Sequence, residues 1–367
     1  MISVKADPKL TYVAVQWKHS SPLISCRFEP QGRFVFATAQ DMTVQRWELS
    51  SGKKVSFPAV HDSWVRGLAF LPDGQTLITG GYDGRLMWWP AVAEKPEPFR
   101  QVDAHPGPAN WIRALSVSPD GRLLASGAND SLVKLWNADD GTLVREFRGH
   151  ESNVYSTQFD PSGKFMLSGD LRGQVKQWDV ATGTLVSEFD AKALHTHRQQ
   201  VHYGGVRSIA ISPDGKDLVC GGLHKGTNPQ GATNEPLVIR FDLESQKTKQ
   251  SHVTRDVKGL VWRALFHPDG HLIAAVGGGR GGFILFWKSD QDMTLFKLKL
   301  PNTARDLDLH PDGLQLATAH YDRHLRISRM TAKPPAKKPA PKKKAMNRPN
   351  PYLANQSRYQ RFSNGSS

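Results

Sequence analysis

The sequence predicts an all-β protein built from seven repeated units of four antiparallel strands. Three observations support this prediction. A proline-containing turn recurs seven times, short segments with alternating apolar residues flank it, and an aromatic residue follows it at a constant distance in four copies. Repetition at this period is typical of propeller and solenoid architectures.

The recurring turn has the form Pro-Asp-Gly or a close variant of it. Its prolines are Pro30, Pro72, Pro119, Pro161, Pro213, Pro268 and Pro311, and subtraction gives spacings of 42, 47, 42, 52, 55 and 43 residues. Proline presets φ, aspartate bonds to the local backbone, and glycine accepts a positive φ. Each copy is therefore predicted to be a tight turn between two strands.

The segments around each turn have the periodicity of strands. Residues 68–70 and 209–211 alternate before their prolines, and residues 123–126 do so after theirs, with no helical stripe. The aromatic residues that stand seventeen positions after a proline are Trp47, Trp89, Trp136 and Trp178. A further turn, such as Asp-Asp-Gly-Thr, then leads into a fourth strand.

With its Trp178-Asp179 pair, the repeat resembles the WD-repeat family of β-propellers over residues 10–330. The resemblance implies a seven-bladed propeller of four-stranded blades. The seventh unit has only three strands, and residues 10–17 form an unassigned strand-like segment. In that family the N-terminal strand completes the last blade, so we expect residues 10–17 to pair with the strand around 325–328 and remove two open sheet edges.

The resemblance also assigns a structural role to a set of polar residues. Two sets match the family's hydrogen-bond relay: His61, Thr79, Asp83 and Trp89, and His105, Ser126, Asp130 and Trp136. Repetition at fixed positions favours this role over a catalytic triad, although the residue types overlap. The other blades depart from the pattern, with Ala37 in the first, Arg172 in place of the aspartate in the fourth, and Cys220 in the fifth. We expect those blades to be held less tightly.

Composition indicates a soluble intracellular protein. No apolar run long enough for a membrane span occurs, and the first residues do not have the pattern of a secretory leader. The only two cysteines, Cys26 and Cys220, lie in apolar segments, which suits buried thiols in a reducing compartment. We therefore expect a cytoplasmic location, or a nuclear one if the cell has a nucleus.

The net charge of +14 is concentrated at the C-terminus. Residues 331–367 contain nine Lys and Arg and no Asp or Glu, which leaves 39 basic against 34 acidic groups, or +5, for residues 1–330. This Pro-, Lys- and Ala-rich segment is predicted to be a disordered basic tail. It could bind nucleic acid weakly through phosphate contacts, or it could only be a solvated appendage.

Other motifs do not indicate an enzyme, a metal or a cofactor. His195, His197 and His202 lack the spacing of a helical or knuckle metal site, and His202 already matches the loop histidine of its blade. The glycine-rich residues 276–283 lack the strand-to-helix context of a phosphate loop and are interpreted as a loosened blade turn. We expect a non-catalytic protein with no cofactor.

The resemblance to the WD-repeat family implies that a ligand binds over the central channel, on the face formed by the loops between fourth and first strands and between second and third strands. The residues six positions before each repeat proline are Ile24, Arg66, Arg113, Tyr155, Arg207, Trp262 and Arg305, and Trp64, Trp111 and Arg263 lie beside them. Arginine with tryptophan or tyrosine is typical of binding hot spots, and the guanidinium fork suits carboxylate or phosphate. The enlarged connections 190–204 and 223–236 are expected on the same face.

Two interpretations of these arginines remain open. Each could pair with an acidic neighbour and be structural, or together they could form an anion-binding site for a peptide. The second interpretation predicts a scaffold that binds an acidic peptide or phosphopeptide of a partner protein. The runner-up function is a nucleic-acid or ribonucleoprotein associate that uses the tail.

Overall fold

The regular structure of this chain consists of thirty strands and two short 3-10 helices in the residues that the computed structural model describes, which are 5–198, 201–227, 234–278 and 281–333. The predicted tail, 331–367, lies outside the described residues from 334 onward. The 3-10 helices are Pro8–Leu10 and Lys192–Leu194. Among the described residues, no helix has the length and apolar character needed to cross a membrane.

The strands of the first half of the chain are β1 (Tyr12–Lys18), β2 (Leu23–Phe28), β3 (Phe34–Ala39), β4 (Val44–Glu48), β5 (Lys54–Phe57), β6 (Val65–Phe70), β7 (Thr76–Gly81), β8 (Arg85–Pro90), β9 (Arg100–Asp103), β10 (Ile112–Val117), β11 (Leu123–Ala128), β12 (Val133–Asn137), β13 (Leu143–Phe147), β14 (Val154–Phe159), β15 (Phe165–Asp170), β16 (Gln174–Asp179) and β17 (Leu185–Asp190).

The strands of the second half are β18 (His195–Arg198), β19 (Val201–Gly204), β20 (Ser208–Ile211), β21 (Asp217–His224), β22 (Glu235–Asp242), β23 (Thr248–Val253), β24 (Leu260–Phe266), β25 (His271–Gly278), β26 (Gly281–Lys288), β27 (Thr294–Leu300), β28 (Ala304–Leu309), β29 (Gln315–His320) and β30 (His324–Arg329).

These strands form seven four-stranded antiparallel sheets, so the predicted seven-bladed propeller is confirmed. Blades 1 to 6 are β2–β5, β6–β9, β10–β13, β14–β17, β20–β23 and β24–β27. Blade 7 has the order β1-β30-β29-β28, with Tyr12 opposite Arg329 and Lys18 opposite His324. The N-terminal strand therefore closes the ring as predicted, although it begins at Tyr12 rather than at residue 10.

The repeated turn forms as its sequence predicts. In the third copy, the backbone N–H of Gly121 donates to the Ser118 carbonyl at 2.9 Å, and the Asp120 carboxylate accepts from the Arg122 N–H at 3.1 Å. Gly121 has a φ of +77°, and an added Cβ would lie 2.8 Å from Pro72 in the neighbouring blade. Glycine is therefore required here both by conformation and by the close approach of two blades.

The apolar core lies between neighbouring blades. The described residues contain seven buried apolar clusters, and each of them joins two adjacent blades. Between blades 2 and 3, for example, Ile78 and Trp88 pack with Leu124 and Trp136. Because every blade is held from both sides, the first strand of each blade, which we call its inner strand, keeps a fixed position around the central channel of the propeller. The side chains at the start of each inner strand are therefore fixed as well.

The enlarged connection 190–204 contains regular structure of its own. Residues 190–204 form the 3-10 helix Lys192–Leu194 and the hairpin β18–β19, an additional two-stranded sheet. In the glycine-rich segment 276–283, the β25–β26 ladder continues regularly to Gly278 opposite Gly281, and the turn residues 279–280 lie outside the described residues. The inner part of the other insertion, residues 228–233, lies outside the described residues.

Candidate functional site

The structural relay forms in blades 2 and 3 through a buried hydroxyl. In blade 3, His105 lies 2.7 Å from Asp130 and 2.8 Å from the Ser126 hydroxyl, which accepts from Trp136 Nε1 at 2.9 Å. In blade 2, His61, Asp83, Thr79 and Trp89 make the same set of bonds at 2.8–3.1 Å. These residues lie within single blades, so they hold β-sheets together and do not face the channel.

The expectation that blade 4 lacks a relay is wrong. Asp170, two positions before Arg172, lies 3.0 Å from His150, which bonds at 2.7 Å to Ser168. Ser168 in turn accepts from Trp178 Nε1 at 2.8 Å. In blade 4 the relay carboxylate comes from the end of β15, whereas in blade 3 it comes from the turn after β11. Each reaches the histidine of its own blade.

The assignment of His202 as a blade histidine is also wrong, because the hairpin moves it away from blade 5. Its exposed ring stacks on His197 with centroids 4.1 Å apart, and its Nδ1 lies 2.9 Å from His195 Nε2. Burial and the neighbouring imidazoles lower the pKa of His195 and His202. In the described parts of the chain, no group of three His, Cys, Asp or Glu side chains is arranged to hold a metal ion.

The channel opens on one face into a cavity of about 170 Å³, which we call the mouth cavity. All seven residues that begin the inner strands line it, together with two aromatic residues from nearby loops: Ile24, Arg66, Arg113, Tyr155, Arg207, Trp262 and Arg305, with Trp64 and Tyr82. Ring closure brings these residues together because each occupies the same position in its blade. Four of the nine are arginines, so the cavity combines positive charge with aromatic walls.

A smaller cavity of about 30 Å³, the inner pit, lies below the mouth cavity. Five residues line both spaces and form a neck between them: Arg66, Arg113, Tyr155, Arg207 and Trp262. The pit is also lined by Gly67, Ala114 and Ser156, which come later in their inner strands and therefore lie deeper in the channel. Arg27, Arg263 and Asp306 are the other charged residues of its lining.

Two of the sequence-predicted site residues do not line the mouth cavity. Trp111 lies behind Tyr82 and stacks on it, with ring centroids 4.7 Å apart and an interplanar angle of 4°. Arg263 faces the inner pit instead. Trp111 therefore supports the wall of the site, and Arg263 contributes to its floor.

Tyr82 is a residue that sequence reasoning missed. Its hydroxyl accepts from Arg113 Nη1 at 2.9 Å, and its ring lies between Trp64 and Trp111. It immediately precedes the relay aspartate Asp83, in the loop between the second and third strands. That position was the available signal, because this loop reaches the same face as the start of the inner strands.

The mouth arginines form no ion pair with a carboxylate in the described part of the chain. Among the described residues, no carboxylate lies within salt-bridge distance of Arg66, Arg113, Arg207 or Arg305. Arg66 donates to the Ile24 carbonyl at 2.9 Å, and Arg113 donates to the Asn129 side chain at 2.9 Å. The interpretation in which each arginine pairs with an acidic neighbour is therefore contradicted.

Aromatic rings take the place of acidic partners. The guanidinium carbon of Arg207 lies 4.2 Å from the Tyr155 ring centroid, and that of Arg113 lies 4.9 Å from the same ring. Arg305 lies 4.5 Å from Tyr321, which precedes Asp322 just as Tyr82 precedes Asp83. Cation–π contacts orient the guanidinium groups but leave their charge unneutralised.

Three buried N–H groups of the channel have no acceptor among the described residues. They are Nε of Arg207, Nε1 of Trp262 and Nε of Arg263. Burial lowers the pKa of Arg207, and although Tyr155 opposes this shift, Arg113 adds to it. Burial and then Arg27 lower the pKa of Arg263 to about 10. These groups are costly to leave unpaired, so the channel favours an anion with several acceptor atoms.

The carboxylate in the inner pit is already paired. Asp306 bonds to Arg27 at 2.8 Å. Burial alone would raise the pKa of Asp306, but the charges of Arg27, Arg263 and Arg66 lower it. Asp308, a second buried carboxylate, accepts from the Phe28 N–H at 2.8 Å and interacts with Arg27 and Arg263. The guanidinium groups outnumber these two carboxylates, so the channel keeps a net positive charge.

Comparisons with known proteins agree with this repeat architecture. The family described as WD domain, G-beta repeat matches residues 52–90, 97–137, 141–179 and 192–226. An uncharacterized WD repeat-containing protein of Schizosaccharomyces pombe is 25% identical over 151 residues, 39% of this chain and 40% of its own. Coronin-7 of Bos taurus is 36% identical over 96 residues, which are 26% of this chain and 10% of that protein.

Similarity also extends to apoptotic protease-activating factor 1 of Homo sapiens, which is 32% identical over 71 residues. That segment is 19% of this chain and 6% of the human protein. The matched part of the chain thus covers 40% of the length of the Schizosaccharomyces pombe relative and 10% or less of the other two.

Proposed function

We propose that this chain, which belongs to the WD-repeat family of β-propellers, is a non-catalytic scaffold that binds an acidic or phosphorylated segment of a partner protein. The segment binds at the mouth cavity, over the central channel. The aromatic walls contact its apolar atoms, and the arginines pair with its carboxylate or phosphate groups.

One observation carries this proposal. Four arginines, Arg66, Arg113, Arg207 and Arg305, surround a single cavity without a carboxylate partner among the described residues. Their fields add in a low-dielectric channel, so an anion gains more there than on an open surface. An acidic ligand supplies the charge that the fold itself does not.

Charge reversal at the mouth tests the proposal. Arg113→Glu with Arg207→Glu replaces two attractive contacts by repulsion, so the binding of an acidic or phosphorylated partner should weaken by about 2–5 kcal/mol. Pull-down from the native lysate identifies the partners, and titration with each of them gives the affinity. The matched control is Arg122→Glu with Arg148→Glu, since both side chains are largely exposed.

The result that contradicts the proposal is equally definite. If the double reversal at the mouth leaves the recovered partners and their affinities unchanged while the control variant behaves in the same way, the ligand site lies elsewhere. A circular dichroism spectrum and a melting curve of each variant establish that a loss of binding does not come from unfolding.

Nucleic-acid binding by residues 331–367 is a second candidate function, and it is supported by the nine basic residues of that segment. Phosphate contacts of this kind are independent of sequence and weaken steeply with salt. Deleting residues 334–367 should abolish the salt-sensitive binding of RNA or DNA. Retention of that binding by the shortened chain would contradict this assignment.

We assign this function to the cytoplasm, or to the nucleus in a cell that has one. Both cysteines, Cys26 and Cys220, are buried and free, and burial raises the pKa of each thiol. Such thiols are typical of a reducing compartment. The location of a fluorescent fusion of this chain in living cells tests the assignment. Export of the fusion protein from the cell would contradict the assignment.

A further inference from the structure

The two tiers of the channel differ in the size of group that each can hold. A cavity of about 150 Å³ is large enough for a benzene molecule, so the mouth cavity, at about 170 Å³, matches one ring-sized group. The inner pit, at about 30 Å³, has room only for the oxygen atoms of a small anion. A ligand that fills both spaces therefore has a planar or ring-shaped body and a compact polar end.

The side chains that line the space for that polar end include three with an unpaired donor. Arg207 and Trp262 line the neck and Arg263 lines the pit, and each has one buried N–H group without an acceptor among the described residues. A phosphate monoester presents three terminal oxygens to the guanidinium groups that line the neck and the pit, whereas a carboxylate presents two. Hydrogen bonds between guanidinium groups and phosphate are also charge-assisted and short.

Charge at the neck favours a dianion over a monoanion. Arg66, Arg113 and Arg207 line the neck, and Arg263 lies just below it. The carboxylate of Asp306 is held by Arg27 at 2.8 Å. A phosphate monoester carries about −1.5 to −2 at pH 7, so it gains more from these cations than a carboxylate does.

The body of the ligand lies against aromatic side chains. Trp64 is 43% exposed at the mouth, although it is a large apolar residue. Tyr82, with its ring centroid 6.1 Å from that of Trp64, continues this wall. A phosphoserine whose phosphate reached the neck would leave most of the mouth cavity unfilled, whereas the ring of a phosphotyrosine would occupy it.

We propose that the ligand group of this site is an aryl phosphate, carried on the partner as a phosphotyrosine side chain, with its ring in the mouth cavity and its phosphoryl group at the neck and inner pit. The proposal rests on the proposed function and specifies its ligand. It states that ring and phosphoryl group are both required.

Calorimetric titration of the full chain at 150 mM salt, about physiological ionic strength, tests the proposal. The probes are phenyl phosphate, inorganic phosphate, benzoate and a pentapeptide that carries either phosphotyrosine or phosphoserine among otherwise uncharged residues. Phenyl phosphate should bind at least about tenfold more tightly than inorganic phosphate or benzoate, and the phosphotyrosine peptide about tenfold more tightly than its phosphoserine counterpart. Equal affinities within either comparison would overturn the proposal.

Variants separate the two parts of the ligand. Arg207→Met, which keeps a side chain of similar length, should abolish the preference for phenyl phosphate over benzoate. Trp64→Ala should abolish the preference for phenyl phosphate over inorganic phosphate, while inorganic phosphate binds as before. Arg122→Met is the control, because Arg122 is highly exposed and its loss should change neither preference. Preferences that persist in both site variants would overturn the proposal.

A longer peptide of aspartate and glutamate distinguishes failure of this inference from failure of the proposed function. If that peptide binds at the arginines and phenyl phosphate shows no advantage, the scaffold stands and the aryl phosphate does not. If the acidic peptide and all phosphorylated probes fail to bind, both are wrong. The wild-type comparisons keep the test valid even where a variant does not fold.

Discussion

Removing one relay hydroxyl should destabilise the propeller by about 2–4 kcal/mol. Ser126 has no exposed surface, and its hydroxyl accepts from Trp136 Nε1 at 2.9 Å and lies 2.8 Å from His105 Nε2. Ser126→Ala leaves both nitrogens buried without that partner. Each such group costs about 1–3 kcal/mol, and single substitutions rarely cost more than about 4 kcal/mol.

Urea unfolding followed by tryptophan fluorescence measures this change. Ser187→Ala is the control, since the Ser187 hydroxyl accepts from Gln246 Nε2 at 3.0 Å at an exposed site. This change should alter the stability by less than about 0.5 kcal/mol. Combining Ser126→Ala with Trp136→Phe removes the orphaned N–H. The double variant should therefore lose less stability than the sum of the two single changes.

The reasoning is refuted if Ser126→Ala unfolds at the wild-type urea concentration, or if the double variant is strictly additive. Either result would mean that the hydroxyl is not an energetic link between Trp136 and His105. Loss of partner binding at unchanged stability would instead reassign the relay to function.

Three further changes have defined outcomes. Ala274→Ser should raise stability by about 0.5–1.5 kcal/mol. The β25–β26 register places residue 274 where blade 2 has its relay hydroxyl, and Trp287 Nε1 has no acceptor among the described residues. An unchanged melting curve would contradict this prediction. Gly121→Ala should cost about 1–2 kcal/mol, since residue 121 has a positive φ, and a melting curve that matches wild type would contradict the strain. Although burial lowers the pKa of His310, its bonds to Asp312 and to the Gly32 carbonyl raise it above the usual value. The stabilisation of the folded state by protonated His310 is therefore complete below about pH 6.5, and it is lost as the pH rises through the higher pKa of the folded state. His310→Gln should flatten the decrease in stability above pH 6.5 in urea titrations, and an unchanged pH profile would contradict this role.

Local chemistry determined the fold. The Pro-Asp-Gly turn, the period-two strands and the spacing to the aromatic residue all act within a few residues, so they can be read directly from the chain. Closure by β1 also followed from the sequence, because a three-stranded seventh unit needs one more strand and residues 10–17 supply it.

Side-chain partners followed less reliably from sequence spacing. The relay of blade 4 uses Asp170 instead of position 172, and the hairpin of residues 195–204 carries His202 away from its expected blade. Spacing fixes the position of a backbone atom only when no residues are inserted. The reach of a side chain is set by how the segment folds in space.

The sequence by itself determined that the seven residues six positions before the repeat prolines stand at the channel mouth, because equivalent positions in a closed ring converge. Only the tertiary structure decided what those residues contact. Arg207 faces the Tyr155 ring, and Tyr82 completes the wall from the loop between β7 and β8. The physical reason is that charge compensation depends on contacts between side chains of different blades, which are distant along the chain and adjacent only after the ring has closed.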